Sequence, residues 1–483
     1  MRMRNVIWTP QPKQREFLKR REYECLYGGA AGGGKSEAAV MLPLYWVHIP
    51  HFRALILRKT YPQLTELVDK ARFYYPRLFP LAKYNATSHR WTFPSGATVA
   101  FGSMHTSADT ESYRGRQFDL IIFDELTHFT WDEYSFMFSR NRPSGPGTFV
   151  GIRATTNPGG VGHGWVKDRF ITCAPPMTTV TEEITVYTPE GRAETRKRDR
   201  IFVPATVFDN QALLANNRDY LANLAMLPAS QRDAQLYGSW DSFDGQVFRE
   251  WVNDPAHYGD RVRTHVISPF RVPKHWRIWR GFDFGYARPY SVGWYAADED
   301  GRLYRVAELY GCTGTPNEGT CESPDRIAEN IRRVEAENEN LRGRTITGVA
   351  DPSIFDESRG ESVATMMARH PNYIYFHPGD NTRLPGKMQF HYRLAFREDG
   401  RPMLQVFSTC VHFIRTLPAL TYDTRMVEDI NSSLEDHIYD ECRYVLMENP
   451  ISPREVPRAG AVRDDPLELR TARPEYETRF YRV

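Results

Sequence analysis

Residues 29–36 read Gly-Ala-Ala-Gly-Gly-Gly-Lys-Ser, a glycine-rich run closed by a lysine and a hydroxyl, which matches the pattern GxxxxGK[ST] without a mismatch. An apolar stretch, Cys25-Leu26-Tyr27, precedes it and a helix-capable one, Glu37 to Leu42, follows. That strand–loop–helix setting is what phosphate chemistry requires. Gly29, Gly32, Gly33 and Gly34 let backbone N–H groups turn inward around phosphate oxygens, and the following helix adds the positive end of its dipole. Lys35 is placed to reach the β- and γ-phosphates, and Ser36 to ligate Mg²⁺. ATP with Mg²⁺ is the expected cofactor pair.

Four further segments fit around such a loop. Asp119-Leu120-Ile121-Ile122-Phe123-Asp124-Glu125 is an apolar strand ending in two acids. Asp124 suits a metal-holding carboxylate and Glu125 a general base for the attacking water. Thr155-Thr156-Asn157 ends another apolar run before Pro158-Gly159, and Asn157 is placed to sense the γ-phosphate. Gln14, ahead of the loop, has an amide suited to adenine, or is a polar residue on an exposed helix. Arg114, in Tyr113-Arg114-Gly115-Arg116, suits an arginine that reaches a neighbouring subunit's phosphate, or is an ordinary surface arginine.

A second set of carboxylates lies far downstream. Asp283 sits in Gly281-Phe282-Asp283-Phe284-Gly285, an apolar strand that hairpins into Ser291-Val292-Gly293-Trp294. Asp351 ends the run Ile346–Ala350. Asp436 and Asp440 are four apart at the start of a helical pattern and share a face. Acids converging from two strands and a helix make a site for hard cations, Mg²⁺ with Mn²⁺ as a substitute. Two ions about 3.5–4 Å apart would activate water and stabilise the leaving oxygen of a phosphodiester. His437 rivals Asp436 for the third place, and Glu308 is a candidate fourth ligand. Each acid alone reads more often as an ion-pair partner or helix cap than as a ligand.

These residues need scaffolds. From Tyr23 to about Gly160, short apolar runs alternate with helical or polar stretches, which predicts a mostly parallel sheet covered by helices. Residues 175–205 read as a β-rich excursion with a basic stretch from Arg192 to Arg200, a candidate DNA contact or a solvated hairpin. Asn216 to Leu236 reads as a helical lid. The expected division is a motor domain over 1–240, a connector over 241–270, a second α/β domain over 271–450 and an aperiodic tail over 451–483.

The 483 residues carry 62 Lys+Arg against 60 Asp+Glu, a net charge of +2 that neither advertises nor excludes nucleic acid. With 41% hydrophobic and 25% charged residues, wholesale disorder is excluded. The six cysteines show no CxxC pairing, so free thiols in a reducing cytoplasm are expected. No stretch approaches the roughly 20 apolar residues of a membrane span.

The order of these motifs, over about residues 10–447, resembles the large terminase subunit of tailed double-stranded DNA bacteriophages. The resemblance implies an N-terminal additional-strand P-loop ATPase domain and a C-terminal ribonuclease H-like nuclease domain. It makes Gly29–Ser36 the Walker A loop, Asp124 and Glu125 the Walker B acid and catalytic glutamate, Thr155–Asn157 the coupling motif and Arg114 the trans-acting arginine. Asp283, Asp351 and Asp436 become the nuclease acids, with His437 or Asp440 still open for the third. It further implies cutting of concatemeric viral DNA and its pumping into a procapsid by a homo-oligomeric ring. The partners would be double-stranded DNA, a portal protein and a small terminase subunit. The place would be the host cytoplasm at the portal vertex, and not the mature virion. The reading from another class, a DNA repair or recombination helicase-nuclease, requires a second motor lobe, and no helicase motif stands between Gly160 and Trp276.

Overall fold

The computed structural model describes residues 6–451 except 218, 228, 242, 244, 359, 424, 425 and 427. Of the expected tail, 452–483 lie outside the described residues. Among the described residues, sixteen strands form two sheets: β1 (Glu24–Gly29), β2 (Arg53–Arg58), β3 (Lys83–Asn85), β4 (Arg90–Thr92), β5 (Thr98–Ser103), β6 (Leu120–Asp124), β7 (Gly151–Thr156), β8 (Val180–Tyr187) and β9 (Ala193–Ala205) in the first, then β10 (Val266–Ile267), β11 (Arg277–Asp283), β12 (Ser291–Ala297), β13 (Leu303–Tyr310), β14 (Ile346–Ala350), β15 (His377–Pro378) and β16 (Leu404–Phe407) in the second.

The first sheet runs β3-β4-β5-β2-β6-β7-β1-β9-β8, and its middle, from β5 to β9, is parallel throughout. Every residue of β1, β6 and β7 is buried, as inner parallel strands covered on both faces must be. Alternation then sorts side chains to the two faces. Ala54 and Ile56 join a core with Phe17, Leu67 and Tyr75, whereas Leu55 and Leu57 join Phe123, Tyr134 and Trp165 on the opposite side. Because β7 lies between β1 and β6, the loop-bearing strand and the acid-bearing strand are separated by one additional strand. The stretch expected as a helical lid, Asn216 to Leu236, holds two short helices, Tyr220–Ala225 and Ala229–Gln235, and a third, Gln211–Asn216, ends where it begins.

The second sheet runs β10-β16-β13-β12-β11-β14-β15, with β12 antiparallel to both of its neighbours and the remaining pairings parallel. This is the ribonuclease H-like arrangement, extended at one edge by β16 and β10. Within the stretch read as a connector, Val247, Phe248 and Ile267 are buried in this second core. The helix His437–Glu448 crosses the sheet at a point where two strand-interior glycines make room. A Cβ on Gly281 would collide with Glu441 Oε1, and one on Gly293 with Arg305 Nη1.

Those glycines accommodate an ion pair. Arg305 donates to Glu441 at 2.6 Å, and both side chains are fully buried. Burial pushes the Glu441 carboxyl up while Arg305 pulls it down. Ser291 donates a further hydrogen bond at 3.2 Å. Removing one partner of such a pair strands the other charge. Glu441→Ala is therefore expected to destabilise the second domain by about 3–5 kcal/mol in chemical denaturation, and a loss under about 1 kcal/mol would show the pair to be dispensable.

Candidate functional site

The parallel strands of the first sheet deliver their C-terminal ends to one edge, where β1 runs into the glycine loop, β6 into Asp124-Glu125, β7 into Thr156-Asn157 and β2 into Arg58. Gly34 caps the helix Lys35–Met41 with φ +71°, and a Cβ there would sit 2.5 Å from Gln14 Nε2. The first amides of that helix have no intrahelical acceptor. Gln14 is buried, and its amide is engaged within the protein: Nε2 donates to Gly34 O at 2.7 Å and Oε1 accepts from Gln11 N. It therefore braces the loop and is not the exposed helix residue that one reading of the sequence allowed. Asn210 braces the loop from the other side, donating to Gly32 O at 2.7 Å.

Asp124 is 1% exposed. Its Oδ1 accepts from Ser36 Oγ at 3.1 Å and from Thr155 Oγ1, and its Oδ2 accepts from Arg58 Nε at 2.6 Å. Lys35 Nζ is buried and donates to Ala30 O. Burial lowers the Lys35 pKa to about 8 against the pull of Glu125 and Asp124. Glu125 has φ +59° and ψ +59°, a left-handed conformation costly for a residue with a side chain. Asn157 holds it there, donating from Nδ2 and from its backbone N at 3.3 Å each. Burial, then Asp124, raises the Glu125 pKa. Asn157 Oδ1 is buried without a protein partner. A hydroxyl and a carboxylate in hydrogen-bond contact, Ser36 and Asp124, are the hard oxygen donors that Mg²⁺ prefers.

Sequence reasoning missed Arg58, although a signal existed. Leu57 pairs with Phe123 in the sheet, so the basic residue ending β2 falls beside the acid ending β6. It also missed His163, whose Nδ1 accepts from Gly159 N at 3.0 Å and whose Nε2 meets Trp240 O at 3.0 Å. The structure does not bring Arg114 to this cluster. It stands largely in solvent, paired with Glu111 at 2.6 Å. In the β8–β9 hairpin, Arg196 pairs with Glu194, Lys197 with Glu183 and Arg200 with Glu182, while Arg198 stacks over Tyr23. Most of the basic stretch is thus internally compensated.

The second acid set gathers where β11 and β14 end side by side, since Phe282 pairs with Ala350 and the next residues are Asp283 and Asp351. The helix His437–Glu448 closes the site with Asp436 as its N-cap. Each strand acid and Asp440 has a protein partner. Asp283 Oδ2 meets His437 Nδ1 at 3.1 Å, Asp351 accepts from Tyr444 Oη and from Ser353 N at 2.6 Å, and Asp440 accepts from Arg443 Nη2 at 2.9 Å. Burial, with Asp440 and Asp351 adding to it against His437, raises Asp283 to about 6. Burial, then Asp440, raises Asp436 to about 7.

Among the described residues no three His, Cys, Asp or Glu side chains are close enough to hold one ion. The expected metal set of Asp283, Asp351, Asp436 and Asp440 is brought together but not closed into a cage. The physical reason is that His437, Tyr444 and Arg443 hold individual acids. The donor chemistry still fits a hard cation, because oxygen acids crowd one another. Glu308, the candidate fourth ligand, is engaged elsewhere: its oxygens accept from His412 N at 2.7 Å and Phe413 N at 3.1 Å, at the start of the helix Val411–Thr416. Asn317, unforeseen, meets His437 Nε2 at 3.2 Å.

His163 yields a pH dependence. Burial, then Lys167, lowers its pKa from 6.5 to about 3. Below pH 6.5 the unfolded chain binds a proton there that the folded chain refuses, so stability is lost as pH falls from 6.5 towards 3. The slope from this residue should approach about 1.4 kcal/mol per pH unit. Denaturation midpoints at pH 7.5 and pH 5 should therefore diverge more for the unchanged chain than for His163→Gln. Equal divergence would remove His163 as the cause.

A family model described as the terminase large subunit, T4likevirus-type, N-terminal, matches residues 26–251. No curated protein matches the chain. Solved structures similar to it include the large terminase of a thermophilic bacteriophage, at 15% identity and TM-score 0.38 over 90% of this chain and 98% of that one. The HK97 bacteriophage large terminase is similar at 9% identity and TM-score 0.42, over 91% and 94%. The P22 large terminase nuclease domain is similar at 16% identity and TM-score 0.32, over 42% and 92%. The match to the N-terminal part of large terminase subunits thus spans residues 26–251 of this chain.

Proposed function

We propose that the chain is the catalytic subunit of a viral DNA-packaging motor. Its first domain hydrolyses ATP to drive double-stranded DNA into a procapsid, and its second cuts concatemeric DNA with two divalent cations. The observation that carries the reading is Asp124 tied to Ser36 at the start of the loop's helix, with Glu125 set beside it by Asn157. A bound Mg²⁺ would supply charge neutralisation and orientation of the phosphates. Ser36 and Asp124 would hold it, while the loop amides and Lys35 bind phosphate oxygens. Glu125, its pKa raised by burial and by Asp124, is tuned to take a proton from water. Asn157, with an unpaired Oδ1, is placed to orient that water and to register loss of the phosphate. Gln14 would read adenine only by releasing the loop. Exposed Arg114 suits service in a neighbouring subunit of a ring.

In the second domain Asp283, Asp351 and Asp436 would hold the metal ions, with Asp440 and His437 alongside. The ions would supply the activated water and stabilise the leaving oxygen. Contacts to portal protein and small subunit, and action at the portal vertex in the host cytoplasm, complete the proposal. The described residues form two sheets, and the second carries acids in place of a second nucleotide lobe, which favours packaging over a helicase-nuclease.

Two substitutions test the halves separately. Glu125→Gln should slow ATP hydrolysis by about 10²–10⁴-fold with nucleotide still bound; an unchanged rate would end the motor reading. Asp283→Asn should abolish Mn²⁺-dependent plasmid cleavage and leave hydrolysis intact. Undiminished cleavage would remove the nuclease assignment.

A further inference from the structure

The two domains meet around a cavity of about 220 Å³, lined by Trp131 and Trp165 from the first and by Asn317, Arg415 and Glu435 from the second. Arg415 spans the boundary. It donates through both terminal nitrogens to Glu435 at 2.7 Å each, and to Asp168 of the first domain at 3.3 Å. Arg415 is 27% exposed and Glu435 14%, so the pair is shielded enough for two parallel charge-assisted bonds to fix direction as well as distance. Tyr310 Oη donates a third hydrogen bond to Glu435 at 2.9 Å.

What Glu435 carries matters more than the pair itself. The next residue, Asp436, caps the helix His437–Glu448, and that helix supplies His437, Asp440, Arg443 and Tyr444 to the second acid cluster. Asn317, which holds His437, donates weakly to Leu434 O, one residue before Glu435. Fixing Glu435 therefore fixes the entry of the chain into the whole site.

Asp168 lies on a short helical segment anchored to the first site. His163, on the same segment, accepts from Gly159 N in the loop after Asn157, and Gly162 N donates to Thr127 O at 2.7 Å, two residues beyond Glu125. The contact that Arg415 makes across the boundary is thus with an element whose place is set beside the ATP-site loops.

We infer that Arg415, held between Asp168 and Glu435, is a positioning residue for the nuclease site, so that the acid cluster takes its cutting geometry from the docked motor domain. This rests on the nuclease reading above. Arg415 touches no reacting atom; it acts through Glu435 on the first turn of the helix.

The test uses the full chain with Asp168→Asn, Arg415→Gln, both together and Arg415→Lys, measuring Mn²⁺-dependent plasmid cleavage, ATP hydrolysis and hydrogen–deuterium exchange over residues 435–448. Each single variant should lower the cleavage kcat by about tenfold, the scale found for groups that orient metal ligands. KM for DNA and the hydrolysis rate should stay within about twofold, and the double variant should be no worse than Arg415→Gln. Arg415→Lys should recover part of the rate, and exchange over 435–448 should rise in Asp168→Asn. Cleavage and exchange unchanged in Asp168→Asn, or losses that multiply in the double variant, would overturn the inference. If the unchanged chain cleaves nothing, the nuclease reading fails, and exchange over 435–448 still decides whether Asp168 holds that segment.

Discussion

Asp124 is a carboxylate shut away from water where β6 ends, and a buried charge of that kind persists only if donors surround it. Its donors come from three different elements: Ser36 from the helix after the loop, Thr155 from β7 and Arg58 from β2. One anion therefore fixes the relative positions of the loop, the additional strand and the neighbouring strand. Without it the sheet edge would present three uncoordinated ends. The cost of desolvating the carboxylate is offset by directed bonds, and their directions are what a phosphate-binding edge needs. Glu125 inherits its properties from the same arrangement. Its left-handed backbone turns it out of the strand, and its nearness to Asp124 raises its proton affinity.

The second acid cluster solves the same electrostatic problem differently. Asp283 and Asp351 again end adjacent parallel strands, but His437, Tyr444 and Arg443, partners of Asp283, Asp351 and Asp440, all come from one helix. In the first site the compensation is distributed over the sheet, so the geometry is set as the sheet forms. In the second it depends on one rigid body lying in one place. The Arg305–Glu441 pair and the two glycines beneath it set that helix's height above the sheet. The first turn is held at His437, by Asp283 and Asn317.

The parallel strands were legible because inner strands are continuous apolar runs, and Asp124, Asp283 and Asp351 stand where those runs stop. What was not legible depends on adjacency between distant segments. Arg58 is recognisable only once β2 is known to lie beside β6, and Asn317 only once its loop is folded over His437. Glu308 shows how adjacency supplies partners that the sequence does not. A strand acid near a predicted site looks like a ligand until the helix Val411–Thr416, about 100 residues away in sequence, places its amides on it. The stretch around the lid holds three short helices because its composition is helical but the joints between them are not. Asn216-Asn217 favours turns, and the residue before Pro228 disfavours helix.

The segment from His163 to Ile171 joins these two sites by a path much shorter than the chain between them, and it ends in a π-helical turn, Lys167–Ile171. Such turns recur at functional positions because they store an extra residue in a helix. The His163 ring is bonded at both nitrogens and stacked on Trp240 and Phe243, with centroids 5.4 and 4.0 Å away. It cannot rotate without giving up both hydrogen bonds in a buried setting, where each loss carries the full desolvation cost. The His163 ring thus ties the loop after Asn157 to Trp240 and to the segment that carries Asp168. Lys167, paired with Asp241 at 2.5 Å, adds a second tie to the same stretch of chain between the domains. The contacts that join the two halves thus run through packed, doubly bonded side chains.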